Sequence, residues 1–346
     1  MLAVIKNRVE AELKKLPQNI DKTYHLNRIS PLLFSSIKDF ILRKGKRIRP
    51  IMFTVGYLGF AKKPTAGIYQ AALSIELLHD FMLIHDDIID KSSIRRGKPS
   101  MHKVFDTHLK NYKNIKFNGQ DLAILAGDVI YALAMETFLA IKENMARKQL
   151  ALKKFIQAAL HTGAGEFIEL LTGLKRIEQV SKNDIYKIYD YKTAGYTFST
   201  PLASGAILAG ANLKETNRLF KYGIYLGRAF QIKDDILGMF ASQAKIGKST
   251  LSDLQEAKKT LLVWHAYNFS KNKDKTTIKQ ILGKNTVVVS DLLTMRQIIL
   301  RAGSLEYAEK EIFSLAKKAK KLIQASSISM EYKNFLRDYP DQILKT

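Results

Sequence analysis

The sequence contains no cysteine, which excludes disulfide bonds and thiolate metal sites. It also lacks an uncharged apolar run of about 18–20 residues, the length that a membrane-spanning helix needs. Its most apolar stretch, residues 122–141, carries Asp128 and Glu136. Residues 1–16 carry charges where a signal peptide has its apolar core. These absences predict a protein of a reducing cytoplasm.

Acidic residues are scarce relative to basic ones, since 32 Asp and Glu face 56 Lys and Arg and the formal net charge is +24. Nucleic acid is the first partner to consider for such a chain. The basic residues are, however, spread along the sequence without a recognisable base-reading motif, and we predict no nucleic-acid partner. A solvated basic surface is the simplest interpretation. Attraction to an anionic membrane or to diphosphates is the functional alternative.

No linker rich in Pro, Gly or Ser divides the 346 residues, so we predict a single domain over residues 1–346. Apolar residues recur with helical rather than alternating spacing, which predicts an all-α fold. The predicted helices cover residues 1–16, 30–44, 50–60, 65–91, 119–141, 147–173, 181–211, 215–240, 257–271 and 303–324.

The stretch Ala71–Ser100 contains the first chemical motif, an apolar helical run that ends in Asp86, Asp87 and Asp90. The helical period places these carboxylates close together, and like charges at this spacing repel by about 0.2–0.5 kcal/mol per pair. A divalent cation removes the repulsion, and carboxylate oxygens suit Mg²⁺. The alternative is a solvated acidic helix end.

A second apolar helical segment carries the paired aspartates Asp234 and Asp235. Two such helices can face each other across a cavity in a helical bundle. Short basic groups lie between and around the two motifs: Lys46, Arg47 and Arg49; Arg95 and Arg96; Lys192; Lys248; Lys258 and Lys259. Carboxylates with Mg²⁺ on one side and Arg or Lys on the other predict a site for a diphosphate.

In these motifs and their order, the sequence resembles the trans-isoprenyl diphosphate synthases, the family of farnesyl and geranylgeranyl diphosphate synthases. The matching segments are GKRIRP at 45–50, LLHDFMLIHDDIID at 77–90, RRGKPSMH at 95–102, LAGD at 125–128, KTAGYTF at 192–198, FQIKDDIL at 230–237 and GKSTLSDLQEAKKTLL at 247–262. A single motif would be a hypothesis only. Motifs spread over about residues 40–265 make the resemblance specific.

The resemblance implies a large helical bundle around a central cavity, a homodimer, and a cytoplasmic enzyme of lipid biosynthesis. The implied reaction is a Mg²⁺-dependent head-to-tail condensation of isopentenyl diphosphate with dimethylallyl, geranyl or farnesyl diphosphate. Three ions are expected with the diphosphate bound. The implied metal ligands are Asp86, Asp90 and Asp234, while Asp87 and Asp235 belong to the same catalytic motifs.

The resemblance also assigns ligands to the two diphosphates. Isopentenyl diphosphate is assigned to Lys46, Arg49, His79 and Arg96, and the allylic diphosphate to Arg95, Lys192, Lys248 and Lys258. Thr193 and Gln231 are expected near the forming carbocation. For Lys258, simple solvation beside the adjacent Lys259 is the alternative, and we interpret Asp80 and His85 as packing residues.

The sequence departs from the family pattern at three places. Lys44 stands where the family usually has a second glycine, and Gly238 stands where many relatives have a third aspartate. Residues 105–120 are longer and more basic than the usual link into the LAGD segment, which predicts an exposed loop insertion. Whether this insertion is a lid, a membrane contact or a disordered loop stays open.

The length of the product is predicted from the residues before Asp86. Helical side chains lean toward the N-terminus, so upstream residues are expected to line the path of the growing tail. Phe81 is the first bulky aromatic, about 7.5 Å along the axis, and DDIID lacks a two-residue insertion typical of many bacterial farnesyl synthases. This pattern resembles the archaeal type of geranylgeranyl diphosphate synthase and predicts a C20 product, with C15 as the rival. The predicted chain-length residues are Phe81, Met82, Leu78, Leu77 and Ser74.

Two other functions are compatible with parts of the pattern. A class I terpene cyclase shares the all-helical cavity and the DDxxD motif, but does not need a second diphosphate pocket. A non-catalytic partner subunit of a heteromeric synthase tends to lose its aspartates and basic ligands. GKRIRP, His79 and Arg96 argue against the first function, and the retained aspartate pairs argue against the second.

Overall fold

The structure, a computed structural model, describes residues 1–241 and 250–345. Helices dominate this part of the chain, and the predicted all-α fold class is confirmed. The α-helices span Leu2–Tyr24, Leu26–Ile29, Pro31–Ile41, Ile48–Leu58, Ile68–Ala71, Leu73–Ile89, Met101–Leu109, Gly119–Leu139, Met145–Leu174, Lys182–Ile188, Thr200–Leu208, Leu213–Phe240, Ser252–Gln255, Leu261–Phe269, Asn272–Leu282, Val289–Arg301, Ser304–Gln324 and Met330–Lys345. A 3₁₀ turn spans Ile177–Gln179 and a π-helix Tyr189–Ser199.

The chain divides into two compact units. The first comprises Met1–Lys153 and Ser204–Gly210, and the second comprises Lys154–Ala203 and Ala211–Thr346. They are described separately below. The single domain over residues 1–346 stays a prediction.

Polar residues fix the start of several helices. Ser30 accepts a hydrogen bond from the Leu33 amide, with Pro31 as the first helical residue. At the start of Gly119–Leu139, the side chains of Asn118 and Asp121 each accept a hydrogen bond from the other residue's backbone amide. Such caps satisfy amides that have no partner within the helix and stabilise it by about 1 kcal/mol each.

In the first unit, Leu73–Ile89 packs against Gly119–Leu139, and Met101–Leu109 packs against the same partner. The facing side chains are small or aliphatic and fully buried, among them Leu77, Leu78, Ala123, Ala126 and Ile130. Burial of one such leucine contributes about 1.5–3 kcal/mol. This packing holds the Asp86 helix in place.

In the second unit, Leu213–Phe240 packs against the π-helix Tyr189–Ser199 and against Ser304–Gln324. π-Helices are rare and frequently lie at functional sites. This one contains the KTAGYTF motif. Gly165 permits a close approach to it, since a Cβ atom at Gly165 would lie 2.5 Å from the Lys192 backbone nitrogen.

Several predicted helix boundaries were wrong. The first helix continues past residue 16 through Pro17, which is buried with Leu13, Leu16 and Ile20. The predicted helix 65–91 is interrupted at Ala72, and the predicted helix 257–271 begins only at Leu261, where the Thr260 side chain caps it. Helices missing from the prediction are the short Leu26–Ile29 and Ser252–Gln255 and the longer Met101–Leu109, Asn272–Leu282, Val289–Arg301 and Met330–Lys345.

The loop predicted at residues 105–120 is shorter than expected. Residues 105–109 belong to Met101–Leu109, where Phe105 is buried, and Gly119 already opens the next helix. The exposed non-helical segment is 110–118. Its status as an insertion relative to the family stays a prediction.

One helix of the described residues, Gly119–Leu139, is long and apolar enough to cross a membrane by length and composition. The buried core helix of a soluble protein satisfies the same criterion. Here the small and aliphatic face of this helix is buried against Leu73–Ile89, whereas Leu125 and Leu139 are exposed.

Candidate active site

The Leu73–Ile89 helix carries two half-buried carboxylates at its C-terminal end, Asp86 and Asp90. One carboxylate oxygen of each lies within 4.8 Å of the other. Two ligands of a Mg²⁺ ion with bonds of 2.0–2.1 Å lie at most about 4.2 Å apart. The two oxygens are thus close to the separation that a shared ion requires, and carboxylate donors fit Mg²⁺.

Asp87 differs from its neighbour Asp86 because it is fully buried and bound to Arg95. Arg95 Nε lies 2.7 Å from Asp87 Oδ1, and its Nη2 contacts the same oxygen. Arg95 Nη2 also lies 3.4 Å from Asp86 Oδ2. Burial raises the pKa of Asp87 to about 6, against the attraction of Arg95. Arg95 reaches this position from an antiparallel hairpin of two short strands, Ile94–Arg95 and Lys98–Pro99, in which it pairs with Lys98.

A basic cluster surrounds His79, two helical turns before Asp86. Burial and the nearby charges of Arg49, Arg96 and Arg95 lower the pKa of His79 well below its usual value. The imidazole is therefore neutral near pH 7, in surroundings that attract an anion. Arg49, His79 and Arg96 are thus brought together as predicted for one pocket, while their role as ligands stays a prediction.

Arg47 lies between the candidate ligands Lys46 and Arg49 but makes a structural contact. Its guanidinium is fully buried, 2.8 Å from Glu10 and 2.7 Å from Glu76, and it donates to the Arg43 carbonyl at 2.6 Å. Its backbone φ of 54° is unusual for a residue other than glycine. With these acceptors in place, Arg47 anchors the start of the Ile48–Leu58 helix.

In the second unit, Asp234 is exposed and Asp235 is buried. The Tyr189 hydroxyl donates to Asp235, and Gln231 Nε2 donates to the same carboxylate at 2.9 Å. Burial raises the pKa of Asp235 to about 8, against these hydrogen bonds. The Leu261 amide donates to the Tyr189 oxygen at 3.0 Å, which fixes the hydroxyl. Tyr189 is a site residue that the sequence did not reveal.

Thr193 and Gln231 contact each other directly. Thr193 Oγ1 donates to Gln231 Oε1 at 2.7 Å, and the amide nitrogen of Gln231 is bound by Asp235. The two contacts fix the orientation of the amide group. The predicted neighbours of the carbocation therefore form one hydrogen-bonded row with the second aspartate pair.

Lys192 contacts two glutamates that the sequence analysis missed. Its ammonium lies 2.6 Å from Glu166 and also contacts Glu169. Both glutamates belong to Met145–Leu174, and their spacing of three residues places them on one helical face. The three-residue spacing of the glutamates is visible in the sequence, but it does not indicate that Lys192 is their partner.

Lys258 and Lys259 point to different partners, and the alternative that Lys258 is simply solvated does not agree with its contacts. Lys258 pairs with Glu256 at 2.7 Å and lies 3.7 Å from Asp253. Lys259 is buried and donates to the Gly173 carbonyl, and burial lowers its pKa to about 8. The remaining predicted ligand, Lys248, lies outside the described residues.

Comparison with known proteins assigns the family. A family model named polyprenyl synthetase matches residues 30–299. The chain belongs to the polyprenyl synthetase family. The family predicted from the sequence motifs is thereby confirmed, as is its activity, prenyl transfer in isoprenoid chain elongation.

Individual relatives agree over most of their length. A short chain isoprenyl diphosphate synthase of Methanocaldococcus jannaschii is 32% identical, with 88% of this chain and 84% of that protein covered. A geranylgeranyl diphosphate synthase of Sulfolobus acidocaldarius is also 32% identical, with 83% and 81% covered. A solved structure of geranylgeranyl pyrophosphate synthase from Corynebacterium glutamicum, complexed with isoprenyl diphosphate and magnesium, has a TM-score of 0.90 at 25% identity and covers 100% of this chain and 99% of that one.

Within this synthase, a carboxylate from elsewhere in the chain occupies the space beside Gly238. A Cβ atom at Gly238 would lie 2.5 Å from Asp253 Oδ2. Asp253 also contributes to the raised pKa of Asp235, by repulsion. The motif lacks a third aspartate at Gly238, but Asp253 places a carboxylate beside that position. The sequence analysis did not identify Asp253.

The predicted chain-length residues of the synthase lie on the buried part of the Asp86 helix. The Phe81 ring contacts His85 edge-on at a centroid distance of 4.6 Å and Tyr131 at 5.0 Å. Leu77, Leu78 and Ser74 are fully buried, and Met82 is half-buried. Phe81 therefore forms an aromatic cluster with Tyr131, a residue missing from the prediction. The ring contact also gives His85 a packing role.

Proposed function

We propose that this protein is a geranylgeranyl diphosphate synthase. It condenses isopentenyl diphosphate with dimethylallyl, geranyl and farnesyl diphosphate in turn. The observation that carries the proposal is the arrangement on Leu73–Ile89. His79, which the basic cluster surrounds, and Asp86 lie on this helix, seven residues or about 10.5 Å apart along its axis. In this proposal, the separation leaves room for two diphosphates in separate pockets.

In this proposal, isopentenyl diphosphate binds Arg49, His79 and Arg96, with Lys46 beside them. The neutral imidazole of His79 donates a hydrogen bond, and the arginines supply the charge. Arginine suits this task because its planar fork binds phosphate oxygens in pairs. Arg47 is excluded as a ligand by its contacts with Glu10 and Glu76.

The allylic diphosphate binds Arg95, Lys192, Lys248 and Lys258 in this proposal. Asp86, Asp90 and Asp234 hold Mg²⁺, three ions when the diphosphate is bound. Bound Mg²⁺ supplies charge neutralisation for the departing diphosphate. The half-buried, closely spaced oxygens of Asp86 and Asp90 support the assignment. The magnesium in the related Corynebacterium complex supports it as well.

The protein's own residues orient the reaction. The bond between C1 and the diphosphate oxygen of the allylic substrate breaks, and the double bond of isopentenyl diphosphate attacks C1. Arg95 and the lysines stabilise the charge on the leaving diphosphate, and the released diphosphate accepts the proton lost afterwards. The Thr193–Gln231 row places oriented dipoles beside the cation, and Asp235 and Tyr189 hold that row in position. The apolar helices exclude water, which would trap the cation.

Beyond the reaction, we propose a cytoplasmic homodimer that serves lipid biosynthesis. Exposed apolar side chains on Met145–Leu174, including Leu160, Phe167 and Leu171, support an interface with a second copy. The net charge of +24 is compatible with a peripheral contact to an anionic membrane.

The test is a product analysis. Purified protein is incubated with labelled isopentenyl diphosphate, dimethylallyl diphosphate and Mg²⁺, and the product length is read by chromatography. We expect C20, whereas a C15 product would support a farnesyl diphosphate synthase. Asp86→Ala should lower turnover by at least about 10²-fold with the helical circular dichroism unchanged. Asp341→Ala, which removes a surface partner of Lys320, is the matched control and should retain activity.

A further inference from the structure

Asp80 is a buried carboxylate beside the basic cluster, and its oxygens have no well-formed hydrogen bond. The residue is fully buried on Leu73–Ile89, directly after His79. Among the residues that the structure describes, neither Asp80 oxygen has a hydrogen-bond partner. Its nearest cation is Arg96, with Nη1 3.3 Å from Asp80 Oδ1, and this Nη1 also lacks a well-formed hydrogen bond. A charge in such a position depends on that one neighbour.

The other charges around Asp80 are already engaged or more distant. Glu76, one turn earlier on the same helix, is neutralised by Arg47 at 2.7 Å, and Arg96 Nη2 lies 3.8 Å from it. Arg47 in turn is held by Glu10 and the Arg43 carbonyl. Arg47, just before the helix Ile48–Leu58, and Arg49, within it, act on Asp80 through space. Arg96 is therefore the counter-ion whose attraction for Asp80 a bound ligand can weaken.

The backbone at Arg96 supports a dedicated position for this side chain. Its φ is 54°, in the left-handed region that residues other than glycine rarely adopt, and Gly97 follows with a φ of 74°. The turn after the hairpin strand thereby presents the guanidinium to Asp80. An uncommon backbone conformation of this kind is maintained only where the surroundings support it.

We propose that Asp80 is the counter-ion of the Arg96 guanidinium in the free protein, and that the Asp80 carboxylate takes up one proton when the diphosphate of isopentenyl diphosphate engages that guanidinium. This rests on the proposed role of Arg96 as a ligand of isopentenyl diphosphate. The proton comes from the solvent, and the carboxylate becomes a neutral carboxyl group. An arginine shared with an anionic ligand no longer compensates a buried carboxylate, and protonation removes the uncompensated charge.

The titration of Asp80 gives the direction of the effect. Burial raises the pKa of Asp80 to about 8, the attraction of Arg96 opposes this rise, and repulsion from Glu76 adds to it. Loss of the attraction of Arg96, together with a new anion nearby, raises this pKa further in the complex. Below about pH 8 the carboxyl group is protonated in both states, and binding takes up no proton there. At pH values between the pKa of Asp80 in the free protein and its pKa in the complex, binding takes up close to one proton. In this range the affinity for isopentenyl diphosphate falls by up to tenfold for each unit by which the pH rises.

Calorimetric titration of the full-length protein with isopentenyl diphosphate tests the proposal. Allylic substrate and Mg²⁺ are left out, so that neither turnover nor metal binding contributes protons. Titrations at pH 6.5 to 9.5, each in two buffers of different ionisation enthalpy, give the number of protons exchanged. We expect wild-type protein to take up close to one proton near pH 9 and few at pH 7. His79, whose pKa is lowered, would contribute at the acidic end instead.

Asp80→Asn should bind within a few-fold of wild type at pH 7, where the wild-type carboxyl group is already neutral. At pH 9 it should show no proton uptake and bind more tightly than wild type. Asp39→Asn is the matched control, because Asp39 is an accessible carboxylate paired with Arg43 and Lys98. It should keep the wild-type uptake. A merely structural role of Asp80 would shift affinity at every pH without removing this dependence.

The outcomes distinguish an error in the proposed isopentenyl diphosphate pocket from an error in the role of Asp80. If wild-type protein does not bind isopentenyl diphosphate, or if Arg96→Gln binds it unchanged, the proposed pocket is wrong and the role of Asp80 falls with it. If Arg96→Gln weakens binding but Asp80→Asn keeps the wild-type uptake, only the role of Asp80 is wrong. Should Asp80→Asn fail to fold, absence of proton uptake by wild-type protein near pH 9 would still overturn the proposal.

Discussion

At the scale of single residues, each aspartate pair combines a more accessible carboxylate with a buried one. Asp87 is bound by Arg95, and Asp235 by Tyr189 and Gln231. The first partner lies eight residues away in the chain, but the second lies 46 residues away. The two aspartate pairs therefore look alike in the sequence, although their buried members, Asp87 and Asp235, have different surroundings. Buried partners from other helices cannot be read from local spacing.

The first prediction concerns Gly238, where the family pattern has a third aspartate. Gly238→Asp should lower both stability and activity rather than improve the metal site. Its Cβ would lie 2.5 Å from Asp253 Oδ2, and overpacking of this kind costs about 1–3 kcal/mol. The new carboxylate would also repel Asp253. Denaturant unfolding and the rate at saturating Mg²⁺ measure the two effects.

The double variant Gly238→Asp with Asp253→Gly provides the control. It moves the carboxylate from one position to the other without the clash, and it should recover much of the lost stability. The interaction energy from this double-mutant cycle should be at least about 1 kcal/mol. Additive effects of the two changes would mean that the Asp253 carboxylate does not occupy the space beside Gly238.

At the scale of elements, the π-helix Tyr189–Ser199 positions Lys192 and Thr193. Its wider turns depend on close contact with neighbouring helices, and Gly165 permits this contact at Lys192. The sequence analysis predicted one uninterrupted helix over 181–211, because small residues such as Ala194 and Gly195 do not distinguish a π-helix from an α-helix. The register of Lys192 and Thr193 could not be predicted without the packing.

Gly165→Ala should therefore destabilise the protein by about 1–3 kcal/mol through overpacking against the Lys192 backbone. It should also reduce kcat with allylic substrates more than the apparent affinity for isopentenyl diphosphate.

Gly163→Ala, on the same helix, is the matched control. In the described part of the chain no atom lies within 4 Å of a Cβ atom there, and the change should stabilise the helix by about 0.5–1 kcal/mol. Equal unfolding midpoints for the two variants would contradict the close contact.

The third prediction concerns the contact between Leu73–Ile89 and Gly119–Leu139. Phe81→Ala should lengthen the main product beyond that of the parent enzyme, because it removes one ring of the Phe81–Tyr131 cluster and opens space toward Leu77 and Leu78. Tyr131→Ala should act in the same direction, since Tyr131 forms the other side of the cluster. Product chromatography measures both. A folded, active Phe81→Ala enzyme that stops at the parent length would place the floor of the cavity elsewhere.

The sequence predicted the long central helices well but missed others, for physical reasons. Leu213–Phe240 and Ser304–Gln324 agree with the predicted 215–240 and 303–324, because both have a sustained helical pattern and clear ends. Asn272–Leu282 has buried Ile278 and Ile281 but otherwise many charged and polar residues, so its apolar pattern is weak. The predicted first helix ends at residue 16, yet the observed helix continues through Pro17, where Leu16 and Ile20 are buried.

At the scale of the whole molecule, exposed apolar surface is concentrated where the proposed homodimer would bury it. On the Lys154–Leu174 part of the long helix, Leu160 and Phe167 are each 64% exposed, and Leu171 is 48% exposed. Their spacing of seven and four residues places them on one face. A contiguous apolar face of this kind is typical of a protein interface. The net charge of +24 opposes association at long range, so the interface has to depend on apolar contacts.

Leu160→Asp and Phe167→Asp together should convert the proposed dimer to a monomer. Burial of unpaired carboxylates costs several kcal/mol, and both copies would carry them. Light scattering after size exclusion measures the mass, with the wild-type chain expected at twice its 39.2 kDa. The wild-type Tm should also rise with protein concentration, and that of the variant should not.

Phe313→Asp is the matched control, because Phe313 is 73% exposed on the separate helix Ser304–Gln324. It should leave the mass unchanged, and a Leu160→Asp/Phe167→Asp variant that still has twice the chain mass would place the interface on another face.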